Sequence, residues 1–220
     1  MSVKKKSQAI ENYLKAIYAL QNEQGAPVST SAVAERLAVS APAATTMIKK
    51  LASLGLVRHE RYRGVTLSRT GELAAVEVIR HHRLLEQYLA QRLGVAIDEV
   101  HQEAEHLEHA LSEELEARID RELGFPTHDP HGDPIPDVDL KMPAIELRTL
   151  GDLEPGESAT VQRVPDRDGQ LLRYLSNLGL LPGRTVELRS AAPFGGPLVV
   201  LAGGAECAIS RDIAALIAVG

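Results

Sequence analysis

Two short stretches bring imidazoles and carboxylates together at helical spacing. His82 and Glu86 are four residues apart, and further on His101, Glu105 and Glu108 recur at i, i+4 and i+7, with His109 beside the last. On an α-helix such spacings put side chains on one face, where two or three converge on a single ion. Imidazole nitrogens with carboxylate oxygens and no thiolate suit manganese, iron(II), cobalt or zinc, whereas all-oxygen cages suit calcium or magnesium. A lone His–Glu pair on a helix is more often a surface ion pair. Four such residues within nine positions, opposite a second pair on the preceding helix, predict a metal site instead. The pattern matches neither the Cys-x-x-Cys of zinc ribbons nor the His-Glu-x-x-His of metalloproteases. His81 and His106 fall off the stripe and read as solvent-facing. Cys207, the one cysteine, sits in an apolar run far from any histidine and reads as core.

A formal net charge of −6 would argue against a nucleic-acid partner if it were uniform, and it is not. Residues 1–76 hold 11 Lys/Arg against 5 Asp/Glu, residues 77–140 hold 5 against 16, and residues 141–220 hold 8 against 9. A basic head followed by an acidic middle points to polyanion contact at one and cation binding at the next. No run of about 18 apolar residues appears, and the N-terminus lacks a hydrophobic signal core. That predicts a cytoplasmic protein with no membrane partner.

In the basic head, Ile10, Tyr13, Leu14, Ile17, Tyr18 and Leu20 recur at helical spacing, predicting a packing helix over roughly residues 7–23. A shorter helix opens at Ser29/Thr30, and the tight turn at Ala38-Val39-Ser40 leads to a third, N-capped by Ser40 with Pro42 in its first turn. The third helix buries Ala44, Ile48 and Leu51. Two helices joined this way describe a helix-turn-helix, and strands at 56–60 and 65–67 add a wing with Arg61 and Arg63 at its tip. Lys49, Lys50, Arg61 and Arg63 are placed for phosphates, while Ser40, Pro42, Ala43, Thr45 and Thr46 lie where base edges or thymine methyls are met. With no Arg, Asn or Gln at the front of the third helix, shape readout should matter.

Helices from Thr70 to Gly94, from Asp98 to His109 and from Ser112 to Gly124 must position the histidines. Five of the 12 prolines fall between Pro126 and Pro143, which reads as an extended, partly ordered connector. From about Ile145 the pattern changes to short strands at 158–164, 185–190, 198–201 and 206–209 around a helix at 170–178, predicting a small barrel.

Several of these runs resemble the diphtheria toxin repressor family of metal-dependent transcription regulators, including its manganese transport regulator branch. They are Glu11-Asn12-Tyr13-Leu14, the Ala34-Glu35-Arg36-Leu37 helix, Gly71 after the wing, Arg80-His81-His82-Arg83-Leu84-Leu85-Glu86, Val100-His101-Gln102-Glu103-Ala104-Glu105, and Leu107-Glu108-His109. The resemblance covers nearly the whole chain. It implies a regulatory metal site at Asn12, Glu105, Glu108 and His109, and an ancillary site at His82, Glu86 and His101. Asn12 stands where the family has methionine or aspartate. Glu105 stands where iron-type members have cysteine and manganese-type members glutamate. Lys15 replaces a carboxylate of the shorter manganese-type proteins, which argues against their binuclear centre.

The leucine-rich turn before Pro182-Gly183 resembles the SH3-like domain of longer members and of small iron-uptake accessory proteins. In such repressors two polar residues of that domain reach the ancillary metal; alignment offers Asp168 and Gln170, with Asp166 as an alternative and, as a further one, a module that only packs against the dimer and supplies neither.

The expected fold class is therefore mainly α with a small β domain. A winged helix-turn-helix spans 1–69, a helical dimerisation and metal-binding domain 70–126, a linker 127–143 and an SH3-like domain 144–220. The expected function is a homodimeric, metal-dependent repressor in manganese or iron homeostasis, activated by Mn2+ with Fe2+ as the alternative. It would bind a palindromic operator in double-stranded DNA, with half-sites about one turn apart. The helices from Thr70 and Ser112, with Leu111, Leu115 and Ile119, would supply the dimer interface. No catalytic residues are expected. Two rivals are a metal-dependent hydrolase with a DNA-targeting domain, which no nucleophile motif supports, and a metal-independent regulator whose histidine cluster is structural.

Overall fold

A computed structural model of the chain describes residues 7–60, 62–143 and 148–220. Its Cα positions divide into two compact units, one running up to His82 with Glu108–Leu111 and Pro136–Met142, the other comprising Arg83–Leu107, Ser112–Ile135 and Pro143–Gly220.

The first unit opens with α1 (Gln8–Gln24), whose buried Ile10, Tyr13, Leu14, Ile17 and Leu20 repeat at helical spacing. Helix α2 (Thr30–Arg36) is capped by Ser29, which accepts from the Ala32 amide, and α3 (Ala41–Ser53) by Ser40, which accepts from Ala43. The hairpin β1 (Val57–Glu60) and β2 (Gly64–Leu67) pairs antiparallel with Val57 opposite Leu67, and Val65 also bridges to Val28. One core joins these elements through Leu14, Ile17, Val33, Ile48, Leu51 and Val65. The long helix α4 (Arg69–Leu93) begins here, and at Gly71 it passes so close to the wing that a Cβ would lie 1.9 Å from the Leu56 carbonyl oxygen. That close approach explains the glycine after the wing.

The second unit holds α5 (Val100–Leu107) and α6 (Glu113–Glu122), the latter capped by Ser112. Helix α5 stops at Leu107, so Glu108 leaves the stripe on which the spacing had placed it and sits with His109 in the turn beyond it. Ile119 is buried at 6% exposure, which leaves Leu115, 49% exposed, as the outward leucine of α6.

The proline-rich stretch has a connector's irregular backbone but not a connector's solvation. Asp129, His131 and Ile135 are buried. Asp129 Oδ1 accepts from the amides of His131 and Asp133, and the Val164 amide donates to the His131 carbonyl. Gly132, at φ 90, would place a Cβ 1.8 Å from the Gln162 carbonyl oxygen. This strap therefore lies tight against the strand that carries Gln162.

The C-terminal strands are β3 (Arg148–Thr149), β4 (Ser158–Arg163), β5 (Thr185–Ala191), β6 (Leu198–Ala202), β7 (Ala205–Ile209) and β8 (Ala218–Val219). They form one antiparallel sheet in the order β3-β8-β4-β5-β6-β7, with α7 (Gly169–Asn177) and α8 (Arg211–Ala214) as additions. Leu150, Leu172, Leu175, Leu180, Leu188, Leu198 and Ile209 are fully buried within it. Cys207 packs against the same core and burial raises its thiol pKa, as its reading as core requires. The strand pattern missed β3 and β8, which are two residues long. Among the described residues, no helix is long and apolar enough to cross a membrane.

Candidate metal centre and nucleic-acid interface

On α3 the face away from the core exposes Pro42, Ala43, Thr46, Lys49 and Lys50, with Ser40 exposed at its cap and Thr45 half-buried. Thr45 Oγ1 donates to the Ala41 carbonyl at 2.8 Å and Thr46 Oγ1 to the Pro42 carbonyl at 2.9 Å. Their hydroxyl hydrogens are thus used inside the helix, and outward they offer lone pairs and methyls. Arg63 is exposed and forms an ion pair with Glu60 at 3.3 Å, a surface contact easily exchanged for a phosphate. Arg61 lies outside the described residues. Sequence reasoning passed over Tyr62, which stands 90% exposed beside them at φ 66.

The first unit also contains a charged cluster between α1 and the turn after α5. Glu108 is fully buried, and Lys15 on α1 reaches its two oxygens at 2.7 and 2.9 Å. His82 Nδ1 lies 2.6 Å from Glu108 Oε2, and His81 Nδ1 lies 3.3 Å from the Glu108 carbonyl. His109 Nδ1 is 2.6 Å from Glu11 Oε2, while its Nε2 is 3.4 Å from Glu108 Oε1. Two polar atoms here are buried with no hydrogen-bond partner, Asn12 Oδ1 and His109 Nε2. Orphaned buried acceptors are costly in a folded chain, and a divalent cation is one group that would satisfy such an atom. The donor types of Asn12, Glu108 and His109, with two of those atoms unsatisfied, thus fit a metal.

Two sequence expectations change here. His81 is buried, not solvent-facing, because the turn after α5 packs over it; its own helix's periodicity carries no sign of that. His82, grouped by sequence with Glu86 and His101, keeps that grouping and also lies 2.6 Å from Glu108. Glu11 had been quoted only as part of a motif, yet it holds His109.

A second cluster lies within the other unit. Glu86 on α4, with Asp129 and His131 on the strap, are all buried, and each offers a ligand atom within 4.8 Å of the others. His131 Nε2 lies 2.9 Å from the Ile97 carbonyl, which only accepts, so the hydrogen is on Nε2 and Nδ1 faces Glu86 Oε1 at 3.8 Å. His101 Nδ1 is 3.0 Å from the same Glu86 oxygen, and its Nε2 is 3.9 Å from Glu105. Arg83 lies 3.7 Å from Asp129 and 3.3 Å from Asp133, holding the strap's acids to α4. Burial and the Glu86 charge push the Asp129 carboxyl well above its usual range. Burial alone would lower the His131 pKa, but Glu86 and Asp129 outweigh it and push it up to about 9.

Asp129 and His131 went unpredicted because the strap's prolines read as a connector. The usable signal was an Asp-Pro-His-Gly-Asp run. From the C-terminal domain, Asp166 is the residue beside His101, 3.8 Å from its Nδ1. Asp168 caps α7 instead, accepting from the Gln170 and Leu171 amides, and both Asp168 and Gln170 are exposed.

Three family models match in series: the iron dependent repressor N-terminal DNA binding domain over residues 5–65, the iron dependent repressor metal binding and dimerisation domain over 68–137, and the FeoA domain over 148–220. A solved manganese-dependent transcriptional repressor in complex with manganese is 42% identical, with 96% of this chain and 99% of that one covered and a TM-score of 0.87. ScaR with bound Zn2+ is 31% identical over 96% of this chain and 98% of its own, with a TM-score of 0.79. An uncharacterised HTH-type transcriptional regulator from Methanocaldococcus jannaschii is 43% identical over 65 residues, 30% of this chain. The chain spans about half the length of that curated relative, 52%.

Proposed function

The chain belongs to the iron-dependent repressor family of metal-dependent transcription regulators, with its DNA-binding, metal-binding and dimerisation, and FeoA domains, and from that premise we propose that it represses transcription in response to Mn2+. The observation that carries this reading is the pair of orphaned buried atoms, Asn12 Oδ1 on α1 and His109 Nε2 in the turn after α5, the latter 3.4 Å from the buried Glu108. The regulatory ion would be held by Asn12, Glu108 and His109, with Glu105, one helical turn before Glu108 in sequence, as the further ligand implied by the resemblance. An ancillary ion would be held by Glu86, Asp129 and His131, with His101 and Asp166 adjacent.

Bound, the ion supplies two positive charges and fixed coordination directions. Asn12 sits on the first helix of the DNA-binding domain and Glu108 and His109 beyond α5, so joining them limits the freedom of α1 and with it the helix-turn-helix that packs on α1. Binding to DNA then costs less ordering entropy, which is a coupling between metal and operator. Oxygen-rich donors favour Mn2+, with Fe2+ as the alternative, and the 42% identical repressor complexed with manganese supports the same ion. A homodimer on a palindromic operator, in the cytoplasm, completes the proposal.

The test is selection of bound DNA from a random pool with manganese, with iron(II) under anaerobic conditions, and with chelator. A two-half-site sequence enriched with manganese and lost with chelator is expected. Equal enrichment with chelator would overturn the reading.

A further inference from the structure

A histidine binds an ion through only one ring nitrogen, and the hydrogen bond made by the other decides which. In His109 the Nδ1 faces Glu11 at 2.6 Å, and a carboxylate accepts but does not donate, so the hydrogen belongs on Nδ1. Nε2 is left buried without a hydrogen-bond partner, 3.4 Å from Glu108. Glu11 precedes Asn12 on α1, and the Glu11 and His109 side chains are only 16% and 5% exposed, so water competes little for either. Four residues on, and hence on the same face of α1, Lys15 holds both oxygens of Glu108. One helix face thus grips two consecutive residues of the turn, Glu11 taking His109 and Lys15 taking Glu108.

We propose that Glu11 is a positioning residue of the regulatory metal centre. It fixes His109 in the Nδ1–H form with Nε2 toward the ion, and because it sits on α1, the orientation of that ligand and the position of the DNA-binding domain's first helix are set together. The inference rests on the reading of His109 as a ligand of the regulatory ion. It adds a residue that binds no metal but decides which atom does.

The experiment uses the full-length, metal-free protein with 15N-labelled histidine rings, in which two-bond 1H–15N correlations distinguish the two tautomers. The His109 signals are identified by their loss in His109→Ala. Wild-type His109 should be in the Nδ1–H form. Glu11→Leu should move it toward the Nε2–H form and weaken Mn2+ binding by calorimetry by about 10- to 100-fold. Glu11→Gln keeps an acceptor and should hold the tautomer with a smaller loss. An Nε2–H ring in the wild type overturns the proposal even if Glu11→Leu does not fold, and so does a tautomer unchanged in a folded Glu11→Leu. If His109→Ala itself leaves Mn2+ affinity intact, the reading of the metal centre has failed rather than the role of Glu11.

Discussion

A carboxylate and a thiolate at position 105 ask for different metals. Manganese(II) stands at the weak end of the divalent series, so a sensor for it needs hard oxygen ligands and a geometry that gives stronger competitors no productive fit. As proposed ligands, Glu105 and Glu108 would supply such oxygens, whereas a sulfur would favour later metals and be open to oxidation. Glu105→Cys should therefore shift activation toward iron(II), cobalt or nickel, read by anaerobic fluorescence anisotropy on a labelled operator with each metal titrated. An unchanged metal ranking would sink this assignment.

His131 makes a second prediction at the same scale. With its pKa pushed up to about 9, the ring is charged at neutral pH in the metal-free protein, and Nδ1 accepts an ion only after losing that proton. Metal affinity at the Glu86, Asp129 and His131 group should then rise with pH up to about 9 and level off above it. Calorimetry on His109→Ala in buffers of different ionisation enthalpy should find a proton released at pH 7, and none from His131 after its replacement by Asn. Binding that ignores pH between 6.5 and 8.5 would contradict it.

At the scale of elements, α3 presents lysines one turn behind its small front residues, where phosphates rather than bases are in reach. Lys49→Glu should weaken binding to all sequences alike and lower the slope of log affinity against log salt by about one or more. A full salt titration measures this, and an unaltered slope would remove α3 as the docking face. The helices of this region were legible in the sequence because each announces itself locally: Ser29, Ser40 and Ser112 cap helices that bury residues at helical spacing. Strands β3 and β8 were not, since two residues are too few to alternate, and β8 exists through its pairing with β3 on one side and β4 on the other. The strap failed for a different reason. Its prolines describe the backbone correctly, but its burial comes from Arg83, Ile97 and Val164, residues distant in sequence. The two clusters divide along the same line: Glu108 was marked by spacing with His109 beside it, while Asp129, His131 and Glu11 belong to their clusters through contacts that no local pattern encodes.

For the whole molecule, a basic N-terminal segment in a chain of net charge −6 implies that one head alone binds DNA weakly, by phosphate contact. Joining two heads turns the second contact into an intramolecular one, with an effective concentration on the order of millimolar. On the proposed two-half-site operator the dimer would be where affinity arises, and its contact would be built from apolar surface a single chain leaves open. On α6 that surface is Leu115, half-exposed on a helix whose other apolar anchor, Ile119, is already buried. A symmetric contact brings this residue near its own copy, so one added charge is counted twice. Leu115→Glu should accordingly shift the protein from dimer to monomer in sedimentation at micromolar concentration. Operator affinity should fall at least tenfold while Mn2+ binding per chain, by calorimetry, stays within about twofold. A variant that remains a dimer with full operator affinity would move the interface off α6, and one that loses metal binding as well would mean that the dimer contact and the metal centre are not separable.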